Sequence, residues 1–407
     1  MIFKKLTFSI TILIVIHSLN GFSQGTTTIS TAELNGQMNV VQSAVPFLTI
    51  APDSRAGGMG DVGVATTPDI NSMHWNPAKY AFIENQGGVA ISYTPWLRNL
   101  VGDIDLATVA GYYRIDQQQV VAASLVYFSL GDIEFRDNLG QPIKQGKPNE
   151  FSIDATYSRI FGDHFSGGIA FRYIRSDLAA GTVVDGVGTK AGQAFAADIS
   201  AYYNKKIKIS DKDSKMAFGL NISNIGTKMS YTDELKNKNF LPTNLRLGGS
   251  LTMDFDSYNS MMFALDFNKL LIPTPPYVVQ SKEGGDSLVN NKRVIIGKES
   301  DVSVVTGMIQ SFYDAPGGFQ EEVKEINYSL GLEYWYRKQF AIRSGYFHES
   351  PTKGNRKYFT FGAGLKLNVF GLDFSYLVPT AANNPLANTL RFTLTFDFDS
   401  FRKLKNR

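Results

Sequence analysis

The feature that most constrains this chain is a period-2 rhythm that begins at Gly87 and persists to the end. Leu390, Phe392, Leu394, Phe396 and Phe398 fall on one phase, and Arg391, Thr393, Thr395, Asp397 and Asp399 on the other. Phe165, Gly167, Ile169, Phe171 and Tyr173 alternate in the same way with Ser166, Gly168, Ala170 and Arg172. So do Ile326, Tyr328, Leu330, Leu332 and Tyr334 with Asn327, Ser329, Gly331 and Glu333. Alternate side chains of a strand point to opposite faces, so this rhythm describes strands that separate two environments. Aromatic residues make up 13% of the chain and glycines number 37, a bias that suits many strands and tight turns better than helices.

Strands are expected near 87–95, 106–114, 119–129, 150–159, 164–173, 195–203, 214–223, 245–254, 260–268, 326–336, 339–347, 356–367, 369–377 and 388–399. The intervals between them alternate. Short connections fall at 116–118, 161–163, 204–213, 256–259, 337–338 and 368. Long ones fall at 96–105, 130–149, 174–194, 224–244, 269–325, 348–355 and 378–387. A soluble sandwich has no reason to keep every second loop short, whereas a transmembrane barrel has tight turns on one side and long loops on the other. Asp154, Arg172, Asp198, Arg246, Asp266, Glu333, Arg343, Asp373 and Arg391 all lie on the polar phase. Facing lipid, a central Arg or Lys would cost about 2–4 kcal/mol, so that phase is expected to face the interior. The expected fold is all-β: a transmembrane antiparallel barrel of about fourteen strands spanning 87–399.

The first residues point to export. Lys4 and Lys5 precede the apolar run Leu6 to Ile16, and Gly21 and Ser23 stand before Gln24 in the manner of a cleavage site. The run is well short of the ~20 residues of a membrane-spanning helix. Residues 1–23 are therefore read as a signal peptide. A Thr-, Ser- and Asn-rich stretch to about Val45 is expected to be mobile, and 46–86 is rich in turn formers. The basic tail, 400–407, is expected on the periplasmic side, because an even strand number returns both termini there.

The chain offers little for catalysis. It has no cysteine, which removes disulfides, thiolate metal sites and a thiol nucleophile. Gly58-Met59-Gly60-Asp61-Val62-Gly63 spells G-x-G-x-x-G, but no strand–turn–helix pattern surrounds it, so a tight glycine-rich fold is expected and no dinucleotide. His74, His164 and His348 are far apart in sequence and read as hydrogen-bonded or solvated loop residues. Glu321 and Glu322 read as a solvated face. A net charge of +3 gives no reason to expect a nucleic-acid partner, and no cofactor is expected. The 269–325 segment is the longest departure from the strand pattern. It reads as a cap over the barrel mouth or as a docking element built on Pro273, Pro275, Pro276, Phe312, Tyr313, Pro316 and Phe319.

Two sets of motifs carry resemblances. Asp53-Ser54-Arg55-Ala56-Gly57-Gly58-Met59-Gly60 followed by His74-Trp75-Asn76-Pro77-Ala78 resembles the N-terminal part of FadL-like barrels. That likeness implies a plug, 24–86, inside a fourteen-stranded wall, with Arg55, Gly58, Gly60, Asn76 and Pro77 in the plug motif. Leu271-Ile272-Pro273-Thr274-Pro275-Pro276, Asp314-Ala315-Pro316-Gly317-Gly318, Glu333-Tyr334-Trp335-Tyr336 and Asn383-Asn384-Pro385-Leu386 resemble the PorV family. This second likeness implies a non-enzymatic outer-membrane adaptor of type IX secretion. Such an adaptor takes cargo with C-terminal secretion domains from the translocon barrel and passes it to a sortase-containing attachment complex. The alternative is a FadL-like transporter of hydrophobic small molecules, which would need an apolar pocket in the barrel.

Overall fold

In the computed structural model the described residues are 34 and 36–398, apart from 99–100, 137–139, 179–180, 182, 185–186, 233–237, 280–287, 290–291, 294 and 382–383. The expected signal peptide and basic tail lie outside them, as does Asn383. Fourteen strands close into one ring. They are β1 (Gly87–Pro95), β2 (Asp105–Arg114), β3 (Gln119–Ser129), β4 (Asn149–Gly162), β5 (Phe165–Asp177), β6 (Gly192–Ile209) and β7 (Lys212–Gly226). The second half is β8 (Asn244–Asp254), β9 (Asn259–Leu270), β10 (Asn327–Tyr336), β11 (Phe340–His348), β12 (Lys357–Lys366), β13 (Phe370–Pro379) and β14 (Leu390–Asp397). Each pairs antiparallel with its sequence neighbour, and β14 returns to β1 through a register running from Gly88↔Asp397 to Tyr93↔Phe392. Closure leaves no strand edge in lipid, where an unpaired backbone amide would cost several kcal/mol.

The two phases of each strand separate as the alternation demands. Phe171, Phe195, Phe361, Leu330 and Phe392 are exposed on the outer surface. Asp154, Arg172, Asp198, Arg246, Asp266, Glu333, Arg343 and Arg391 are buried on the inner one. The wall therefore shows hydrocarbon to lipid and charge to the lumen, the arrangement of an outer-membrane barrel.

The connections depart from expectation in one place. The 204–213 interval is not a loop: β6 and β7 run on to Ile209 and Lys212, and only Ser210 and Asp211 form the turn. Both take φ values of 48° and 60°, as do Arg337 and Lys338 at 53° and 54° in the β10–β11 turn. Two consecutive left-handed residues give the primed hairpin whose twist matches its strands. Lysines on an exposed hairpin interrupt the hydrophobic alternation, so this extension is invisible to a pattern tuned to lipid.

Within the ring, residues 46–83 form four short helical turns: two 3-10 turns, Pro46–Thr49 and Pro77–Phe82, and two α-helical ones, α1 (Ser54–Gly57) and α2 (Ser72–Trp75). Irregular backbone at membrane depth must find partners in the protein, and this stretch finds them on the inner face of the wall. The amide of Ser54 donates to Thr393 Oγ1, that of Gly60 to Thr360 Oγ1, and those of Gly63 and Val64 to Asp266 Oδ2. In return, Ser158, Ser166 and Ser250 donate to the carbonyls of Pro77, Ala78 and Ala65.

Candidate functional site

Two regions gather the residues singled out in the sequence: the segment inside the ring and the long external loop. In the first, Asp53 caps α1, accepting from the Ala56 amide at 2.9 Å, and its second oxygen accepts from the Trp75 indole at 2.7 Å. Arg55 reaches the wall. Its Nε and one terminal nitrogen donate to Glu333 at 2.9 and 2.8 Å, and its other terminal nitrogen donates to Asp69 at 2.8 Å. Glu333 also accepts from Arg343 Nε at 2.7 Å, and Arg343 donates to Asp373 at 2.6 Å. A chain of five charged groups, Asp69, Arg55, Glu333, Arg343 and Asp373, so bridges the segment to β10, β11 and β13.

The remaining motif residues have backbone roles. Gly60 has φ +70°, and a Cβ there would sit 2.6 Å from the Tyr346 nitrogen on β11, so only glycine fits. Gly58 lies against Gly362 of β12. The Asn76 carboxamide caps the Pro77–Phe82 turn through the Ala78 amide and donates to the carbonyls of Val64 and Ala201. Pro77 occupies the first position of that turn, where its missing N–H is no loss. The G-x-G-x-x-G run is thus a tight fold against the wall, with no strand before it among the described residues.

Sequence reasoning missed how the external loop is fastened. Glu321 and Glu322, read as solvated, are buried. Glu321 accepts from Lys353 Nζ at 2.5 Å and Glu322 from Lys269 Nζ at 3.1 Å, while Glu325 accepts from both lysines at 2.9 and 2.5 Å. Glu325 also takes the Thr274 hydroxyl at 2.6 Å, and Asn39, N-terminal to the ring, donates to Glu321 and to the Pro275 carbonyl. The lysines come from the end of β9 and from the β11–β12 loop, so the burial of the acids depends on partners tens of residues away. Asp314 sits beside them, its carboxyl pushed up to about 6, chiefly by burial and further by nearby Glu322, against a hydrogen bond from the Thr274 amide.

With its acids turned inward, the loop turns its apolar side chains out. On α4 (Phe319–Lys324), Phe319 is 81% exposed and Val323 49%, four residues apart on one face. On α3 (Val304–Gln310), Val305 and Ile309 repeat that spacing at 66% and 59%. Phe312 and Tyr313 are exposed as well. Of the prolines, Pro273 and Pro316 are buried and Pro275 and Pro276 half-buried. On α4 the face is inverted, with Glu321 and Glu322 beneath and hydrocarbon above, while α3 buries Gly307 and Gln310 and likewise turns hydrocarbon out, the opposite of a surface helix that has no partner.

A cavity of about 510 Å³ lies below this loop, lined by Trp75, Asn244, Arg246, Asn268 and Asn327 together with charged residues of the β11–β12 loop. Val40, Val41, Leu270 and Phe347 add hydrocarbon to its walls, so the lining is mixed.

Over residues 33–277 the sequence matches the family described as type IX secretion system protein PorV. No curated protein matches the chain. Among solved structures, the Pseudomonas putida toluene transporter TodX is similar at 11% identity with a TM-score of 0.47, covering 88% of this chain and 98% of that one. A Pseudomonas aeruginosa FadL homologue is similar at 11% identity and a TM-score of 0.43, covering 89% and 100%. The family match takes in more than half of the chain, from the residues before the inner segment to the first part of the external loop. Outer-membrane wall, inward charges and sequence match agree, and the chain belongs to the PorV family of type IX secretion system proteins.

Proposed function

We propose that this barrel is a membrane-held adaptor of type IX secretion. It receives cargo bearing C-terminal secretion domains from the translocon barrel and delivers it to the sortase-containing attachment complex on the cell surface. The observation that carries this reading is the inverted external loop. Phe319, Val323, Val305 and Ile309 are presented outward from a platform clamped by Lys269, Lys353 and three buried glutamates. Exposed apolar side chains on a rigid support fit a protein partner, because burying them gains hydrophobic free energy at small ordering cost. We further propose that residues 46–83 act as a plug, their hydrogen bonds to the wall keeping the lumen closed to bulk flow, and that the protein's role is non-catalytic. Transport of hydrophobic small molecules is the weaker reading, since the cavity beneath the loop sets Arg246, Arg356, Lys353, Glu325 and Glu349 among its apolar lining.

Deleting the gene tests the assignment. The adaptor reading expects sortase-dependent cargo to accumulate unprocessed or in the periplasm, with growth on hydrophobic carbon sources unchanged. Normal cargo processing together with impaired uptake of such compounds would replace it with the transporter.

A further inference from the structure

From the cavity beneath the external loop, we infer a binding site for a carboxylate carried on a polar chain, with Arg246 as its anchor. The charged groups around this cavity are largely spoken for: Arg356 pairs with Glu349 at 2.8 Å, Lys353 with Glu325 at 2.9 Å, and Asp61 accepts from the Tyr358 hydroxyl at 2.5 Å. Arg246 is different. It is 5% exposed, yet its guanidinium meets only the His74 carbonyl at 2.6 Å, the His74 ring nitrogen at 3.3 Å and the Trp75 ring at 5.1 Å. Among the described residues it forms no ion pair. The nearest acids act on it only through space: Asp266 holds the amides of Gly63 and Val64 through Oδ2, its Oδ1 making no hydrogen bond, and Asp198 holds Arg172 and the Asn224 amide.

A buried cation that no acid touches is costly, and a carboxylate matches the planar fork of arginine through two parallel hydrogen bonds. Trp75 and His74 hold that fork in place. Beside it, Asn268 and Asn327 stand opposite each other across β9 and β10, and the side-chain oxygen of each is buried without a hydrogen bond. Carboxamides pair with amide groups, so the chain bearing the carboxylate should carry peptide-like donors. Two sources share this chemistry: the free C-terminus of a polypeptide entering from the loop side, and a small polar carboxylate. The inference rests on the cavity and not on the adaptor assignment.

The test uses the full-length protein in detergent micelles, with calorimetric titration of N-acetylglycylglycine, its C-terminal amide, decanoate, and a nonapeptide from the C-terminus of an exported protein as free acid and as amide. The free acids should bind, and amidation should weaken binding by about tenfold or more, as expected for a lost charged hydrogen-bond pair. Arg246→Gln should erase the difference between acid and amide, and Arg246→Lys should keep part of it. Because Arg246 is buried, Asn268→Ala provides a second variant, expected to weaken acid and amide alike. A nonapeptide that binds more tightly than N-acetylglycylglycine, only with a free terminus, identifies polypeptide ends as the ligand; equal affinity identifies small carboxylates. Equal binding of acid and amide, absence of binding by either, or preference for decanoate would overturn the site. None of these outcomes bears on cargo sorting in the deletion strain, so the adaptor reading stands or falls separately.

Discussion

The segment inside the ring and the loop outside it are both irregular, and they resolve their polar groups in opposite senses. Residues 46–83 spend their backbone amides and carbonyls on serines, threonines and Asp266 of the wall, and their one arginine on Glu333. The external loop satisfies its acids with two lysines from the rim and leaves aromatic and aliphatic side chains in solvent. A segment whose groups are nearly all matched within its own chain behaves as structure. A segment whose charge is matched but whose hydrocarbon is not leaves apolar surface for a partner to cover, as the proposed adaptor role requires.

The largest expected effect breaks the inner side of this contrast. Glu333→Gln leaves Arg55 and Arg343 buried beside a neutral amide, which should cost about 3–5 kcal/mol. Unfolding in detergent followed by the heat shift on electrophoresis would measure it; wild-type stability would mean that Asp69 and Asp373 alone suffice. Next comes the loop. Glu325→Gln removes the acceptor shared by Lys269, Lys353 and Thr274, and should free the loop by about 3 kcal/mol without opening the barrel. Limited proteolysis should then cut within 271–326 while the barrel keeps its heat shift.

A smaller effect follows from Asp314. Its carboxyl titrates near 6, above the ordinary carboxylate value of 3.8, so between those values the folded loop binds a proton that the released loop does not. The loop therefore gains stability as pH falls from 7 toward 5 and loses it as pH rises through 6. Hydrogen exchange of the 304–324 amides, corrected for intrinsic rates, should slow over that range, and Asp314→Asn should flatten the dependence. The smallest change in stability, within about 0.5 kcal/mol, is expected for Phe319→Ser combined with Ile309→Ser, since both side chains are exposed. Their effect should instead appear in partner capture from solubilised membranes, reduced about tenfold if they are central to an interface. Undiminished recovery would reduce the loop to a cap.

Part of this was readable from residue order. The expected strand at 119–129 is β3 to the residue, and 87–95 is β1. The expected strand at 245–254 begins one residue after β8 does. The site was less legible. Phe312, Tyr313 and Phe319 are exposed where a docking surface needs them, but Pro273 and Pro316 turn out to pack inside the loop. Gly307 and Gly297 lie against those two rings. Glu321 and Glu322 carried no sign of burial, because a pair of acids is ordinarily solvated and nothing local points to Lys269 or Lys353. Arg246 was seen to face inward, but not that its guanidinium would rest on the His74 carbonyl and the Trp75 ring.

What residue order alone determined is the wall. A period of two, sustained over fourteen segments with turns of alternating length, leaves lipid on one face and charge on the other. That holds because strand geometry sends successive side chains to opposite sides whatever else the chain does. What the tertiary structure decided is which charge meets which. Arg55 and Glu333 are 278 positions apart and Ser54 and Thr393 are 339, and such pairs exist only once ring closure brings β14 to β1 and the inner segment between them. Periodicity reports a direction for each side chain; a partner needs a distance, and only the closed barrel supplies it.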